Sequence, residues 1–133
     1  MRGDDGLGPE IIRRLSGKSI SNDITLINGG TVPENFTGTI KKVKPSHILL
    51  VDAVDFKKRP GYIKLVEKEK ISNYNISTHA MPISFLINYL EYSINANIAL
   101  IGIQPKNMDL NGKLSIEVEK SILYLTDLFK RLF

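Results

Sequence analysis

The sequence predicts an α/β protein: a three-layer sandwich with a twisted, mostly parallel sheet, one antiparallel strand and helices on both faces. Three observations carry this. His47–Ala53 and Asn97–Ile103 are short, nearly continuous apolar runs, the composition of buried central strands. Pro82–Ile94 and Lys113–Leu132 repeat apolar residues at helical spacing. Strands and helices alternate along the chain, as layered α/β folds require.

The elements follow in order. Gly8-Pro9 is a helix start, because proline lacks an N–H that the first turn does not need. Glu10 suits the positive end of that helix. Ile11, Ile12 and Leu15 supply its buried face, and Gly17 is a stop signal. Asp23–Asn28 reads as a strand ending at Gly29-Gly30, and Pro33-Glu34-Asn35 opens a short helical or irregular stretch to about Val43. Tyr62–Val66 is a further strand. Only 8 residues separate Ala53 from Tyr62, and a parallel crossover needs roughly a dozen or more. Tyr62–Val66 is therefore expected to run antiparallel, at an edge. Ile83, Leu86, Ile87, Leu90 and Ile94 form one helical face; Leu114, Val118, Ile122, Leu125, Phe129 and Leu132 form another. Such a sheet normally begins with a strand feeding the first loop. Here the sequence opens inside that loop, so the first strand is expected to be missing.

A chain of 133 residues is expected to form one domain, spanning 1–133. Apolar residues make up 42% and charged residues 24%, the proportions of an ordinary globular protein. No apolar run approaches the roughly 18 residues of a membrane span, and Met1–Asp5 does not open a secretory signal. The expectation is a cytoplasmic monomer with no membrane association. Absence of cysteine excludes disulfides, thiolate metal sites and a cysteine nucleophile. The net charge of +4 is spread over Lys41, Lys42 and Lys44, Lys57, Lys58 and Arg59, and Lys130 and Arg131. That is a solvated lysine-rich surface rather than the dense, aromatic-interleaved stripe of a nucleic-acid binder.

Three positions carry candidate chemistry. Asp4 and Asp5 precede the first helix. One aspartate suffices to cap it, which leaves the other available. Asp52 ends the run Ile48–Val51, where a carboxylate is costly unless paired, protonated or metal-bound, and hydrogen bonding to loop amides accounts for it nearly as well. His79 lies just before Pro82 and serves equally well as a loop-packing residue. If the strands are parallel, all three loops lie at the sheet edge where open α/β folds bind ligands. Two carboxylates and an imidazole there can hold one divalent metal. His47, at a strand start, reads as structural. Gly3, Gly6 and Gly8 fit neither the dinucleotide nor the P-loop pattern, and a Gly-x-Ser-x-Gly elbow is absent.

Six motifs occur in one order: Met1–Glu10 (MRGDDGLGPE), Asn28–Asn35 (NGGTVPEN), Leu49–Asp55 (LLVDAVD), Arg59–Ile63 (RPGYI), Ser77–Pro82 (STHAMP) and Gly102–Pro105 (GIQP). The set resembles the hydrogenase maturation endopeptidases, particularly those of the hydrogenase-3 type. The resemblance implies a twisted mixed sheet with helices on both faces. It also implies removal of a C-terminal extension from the [NiFe] hydrogenase large-subunit precursor after nickel insertion, with no organic cofactor. The family's nickel-binding residues fall on Asp5, Asp52 and His79, and its substrate-recognition segment on Gly29, Gly30 and Thr31. In this picture nickel is supplied by the precursor, and the three side chains sense it. Two departures stand out. The family's apolar first strand, ending in Gly-Asn, does not precede the acidic loop, and the family's Asp-Gly-Gly reads Asn28-Gly29-Gly30. The competing expectation is a binding module that recognises the nickel-loaded precursor without cutting it.

Overall fold

The structure, a computed structural model, describes residues 6–16, 21, 23–28, 33–76, 83–106 and 113–133. Helix α1 spans Leu7–Leu15. It starts two residues before Pro9, which therefore lies in the first turn, where backbone N–H groups have no intrahelical acceptor. Leu7, Ile11 and Leu15, spaced four apart, are buried. The helix ends as both the N–H and the hydroxyl of Ser16 donate to the Ile12 carbonyl, at 2.9 and 2.7 Å. Gly17, expected as the stop, lies outside the described residues.

Asp23–Asn28, expected as a strand, is irregular. The Ile24 N–H closes a turn on the Ser21 carbonyl at 3.0 Å, and Leu26 packs against the core beside α1. Among the described residues this segment pairs with no strand, and alternation alone makes no ladder.

A 3-10 turn, Pro33–Phe36, leads into α2, Thr37–Val43. Strand β1 spans His47–Asp55, β2 Ile63–Glu67, β3 Asn75–Ile76 and β4 Asn97–Ile103. Their order is β2-β4-β1-β3. β1 and β4 are parallel, in register from His47–Asn97 to Ala53–Ile103. β2 runs antiparallel to β4 at the edge, as the short span after Ala53 requires. β3 runs antiparallel to β1, with Ile76 opposite Val54. The described sheet is therefore mixed rather than mostly parallel, with one parallel pairing and two antiparallel ones. β3 was not foreseen; a two-residue strand carries no periodicity.

Helix α3, Ile83–Ser93, covers one face, burying Ile83, Leu86, Ile87 and Leu90 against Val54, Leu100 and Val66. Helices α1 and α4, the latter Ile116–Leu132, cover the other with Val118, Ile122, Leu125 and Phe129. Each such side chain taken from water contributes about 1.5–3 kcal/mol. The layers are the expected three. Ser115 caps α4, its Oγ accepting the Val118 N–H at 3.3 Å. Leu132, expected on the buried stripe, is 64% exposed. The stripe ends at Phe129, whose ring stacks on Phe133. Leu49 in β1 is likewise 42% exposed, despite its place in a run that reads as a buried central strand. Among the described residues no helix is long and apolar enough to cross a membrane.

Glu10 does more than complement the helix dipole. It is buried and accepts from Arg13 and from Arg14 Nε, the latter at 2.7 Å. Arg14 also bonds Glu119. One guanidinium thus ties α1 to α4. The Arg13 hydrogen bond is the main reason the Glu10 carboxyl is held down at about 2, burial acting against it.

Candidate active site

Of the predicted site residues, Asp52 alone lies within the described part of the chain. Asp5, His79, Gly29, Gly30 and Thr31 lie outside it. Asp52 is not at a strand end. The strand continues through Ala53 and Val54 to Asp55, because β4 and then β3 supply partners for that stretch. Side chains alternate along β1: Val51 and Ala53 belong to the α1/α4 core, Leu50 and Val54 to the α3 core. Asp52 therefore faces the α3 side. It is 8% exposed, and its Oδ1 accepts the Ala53 N–H at 2.8 Å.

Gly8 and Ile76 both lie against β1, at Val51 and at Val54. Gly8, in the first turn of α1, packs against Val51 so closely that a Cβ there would stand 3.0 Å from the Val51 carbonyl oxygen. Ile76 pairs with Val54. The stretch carrying Asp5 adjoins the first, and the stretch carrying His79 adjoins the second. Among the described residues, no three histidine, aspartate or glutamate side chains gather as a metal site.

Across the parallel ladder, the partner of Asp52 is Gly102. Its missing side chain makes room for the Phe56 ring: a Cβ on Gly102 would lie 2.5 Å from Phe56 Cζ and 2.7 Å from Val54 Cγ2. Phe56 meets Tyr62 and Tyr74 edge to face, with centroids 5.6 and 5.0 Å apart.

Beyond the strands, Gln104 organises the turn, a role that sequence reasoning missed. It is buried. Its Oε1 accepts the N–H groups of Phe56 and Lys58 at 2.6 and 3.3 Å. Its Nε2 donates to Asp55 Oδ1 and the Pro105 carbonyl at 3.2 and 3.3 Å. Its backbone exchanges bonds with Gly61 and Tyr62, each at 2.8 Å. Asp55 also accepts from the Lys57 N–H at 2.9 Å and from Lys57 Nζ at 3.1 Å. These bonds, the Lys57 amide first, hold its carboxyl below the usual range. The available signal was an amide side chain at a strand end, in the Gly102–Pro105 motif.

A mixed sheet with helices on both faces and a buried aspartate on its parallel pair defines a layered α/β domain. Comparison with known proteins narrows this. The hydrogenase maturation protease family profile matches residues 9–129, and the chain belongs to that family. The hydrogenase 3 maturation protease of Escherichia coli is 35% identical over 79% of this chain and 67% of its own length. A Methanocaldococcus jannaschii relative is 34% identical over 99% of this chain and 84% of its own. The crystal structure of the [NiFe] hydrogenase maturation protease HycI from Thermococcus kodakarensis superposes with a TM-score of 0.88 at 28% identity. It covers 98% of this chain and 84% of that one.

Proposed function

We propose that this chain is the endopeptidase that removes the C-terminal extension of a [NiFe] hydrogenase large-subunit precursor once nickel has been inserted. The observation that carries the reading is Asp52: a nearly buried carboxylate on the central parallel pair, in a chain of this family. Asp5 and His79 complete the proposed set, and the placement of Gly8 against Val51 and of Ile76 opposite Val54 supports it.

In this reading nickel arrives as part of the substrate. Imidazole suits nickel, and the carboxylates supply compensating negative charge. Engagement of the loaded metal by Asp5, Asp52 and His79 sets the scissile bond beside Asp52 and orients a water toward its carbonyl. A carboxylate within hydrogen-bond reach of that water takes its proton. Gly29, Gly30 and Thr31 contact the precursor. The reaction takes place in the cytoplasm, and the protease acts as a monomer.

The test is incubation with nickel-loaded and nickel-free precursor, reading the precursor's C-terminal mass. Shortening of the loaded form only is expected. Stable binding of the loaded precursor with no change in mass would replace the protease by a recognition module.

A further inference from the structure

The Gly102–Pro105 motif has no place in the proposed chemistry, yet its glutamine is among the most heavily bonded side chains described. Its bonds are not spread at random. The shortest, at 2.6 Å, goes to the Phe56 N–H. That amide belongs to the residue whose ring occupies the space above Gly102. Gly102 is the in-register neighbour of Asp52 on the same face of the sheet, where adjacent strands lie about 4.8 Å apart. The side chain beside Asp52 is thus an aromatic ring returned from beyond the strand end. A buried amide acceptor fixes the backbone that returns it.

We infer that Gln104 is a positioning residue of the Asp52 site: it holds Phe56 over Gly102 as an aromatic wall that closes the β4 flank of Asp52 to water. This rests on the reading of Asp52 as a site residue. The wall has two determinants, the acceptor at Gln104 and the missing side chain at Gly102. Tyr62 and Tyr74 brace the ring in T-shaped contacts. Leucine at 104 keeps most of the volume but removes the acceptor, leaving the buried Phe56 N–H unmatched. Alanine at 102 puts a methyl group 2.5 Å from Phe56 Cζ, so the ring must move.

The chain has no cysteine, so a single introduced thiol reports one place. Asp52→Cys is combined with Gln104→Leu or with Gly102→Ala, and alkylation by iodoacetamide is timed. The control is Thr126→Cys, at a buried position of α4 whose hydroxyl donates to the Ile122 and Leu123 carbonyls of its own helix at 2.8 and 3.1 Å. Either partner substitution is expected to speed alkylation at position 52 roughly tenfold and to leave position 126 within about twofold, the signature of local opening. With Asp52 intact, Gln104→Leu is expected to lower kcat for precursor processing by about tenfold with KM within about twofold. Unchanged alkylation at 52 in both backgrounds overturns the inference. Equal acceleration at 52 and 126 also overturns it, because Gln104 then supports the whole fold. Normal processing by Asp52→Asn removes the site reading itself. The thiol measurements use no precursor, so that failure is separable from failure of the wall.

Discussion

Ser121 of α4 donates its hydroxyl to the Gly61 carbonyl at 2.5 Å, joining the turn after β1 to the helix on the far face. Gly61 has φ of +89°, and a Cβ there would lie 2.8 Å from the Glu117 carbonyl oxygen. Both conditions demand glycine. Gly61→Ala is expected to destabilise the protein by about 2–3 kcal/mol, combining a strained backbone with a backbone clash. Ser121→Ala should cost about 1 kcal/mol, the worth of one hydrogen bond. Urea unfolding of both variants checks this; a neutral Gly61→Ala would show that the turn shifts freely against α4.

The ion pairs that Glu10 makes with Arg13 and Arg14 within α1 should give stability a pH dependence of known sign. Glu10 ionises at about 2 in the folded protein, against 4.5 for an unperturbed glutamate. A depressed folded-state value means stabilisation that is complete above the unfolded value and lost as pH falls through the folded one. Glu10→Gln should therefore lower Tm at pH 7, by an amount corresponding to about 1–2 kcal/mol after allowance for the exposure of Arg13. The gap between parent and variant should begin to close below about pH 4.5 and nearly vanish by about pH 2. A gap that stays constant from pH 7 to pH 2 would assign the loss to packing instead.

What was legible in the sequence follows from how local each signal is. The bounds of β4 and the buried face of α3 were readable because periodicity and run length decide them residue by residue. The antiparallel sense of β2 was readable because a short connection forbids the alternative. Asp23–Asn28 was misread because strand formation depends on a neighbour, and no alternation within six residues reports whether one is present. The charge of Asp52 breaks the apolar run and so reads as a strand end; register of Asp52 with Gly102 and of Ala53 with Ile103 carries the strand past it. Gln104 escaped notice because a buried amide is recognisable only by the N–H groups it meets, and two of those lie 46 and 48 residues away. At the candidate site, only the type and order of Asp5, Asp52 and His79 were legible. The family resemblance gave them roles that their spacing does not contain.

Asp52→Asn is expected to abolish processing while leaving the melt within about 1 kcal/mol of the parent. Asparagine has the same shape, and its Oδ1 can still accept the Ala53 N–H that bonds Asp52 at 2.8 Å. What it loses is the negative charge needed to engage a cation or to take a proton. Precursor mass spectrometry alongside thermal unfolding reads both quantities. A variant that melts like the parent and cleaves like it would remove Asp52 from the chemistry.

The last prediction concerns where the metal comes from. With no cysteine in the chain, thiolate ligation is excluded, so any ligands are oxygen and imidazole. Two carboxylates and one imidazole make three protein donors. A set of that size leaves coordination positions to be filled by something other than this protein. If the precursor fills them with its own nickel ligands, the protease needs no metal in advance. Protease treated with EDTA and freed of chelator should then process nickel-loaded precursor at the untreated rate. Free nickel added with the protease to nickel-free precursor should not restore cleavage unless it also enters the precursor's own site, which nickel analysis of the reisolated precursor reports. A tenfold loss on chelation, reversed by adding nickel to the protease alone, would mean that Asp5, Asp52 and His79 hold a resident ion. The set would then act as a metal centre of this chain rather than as a sensor for its substrate.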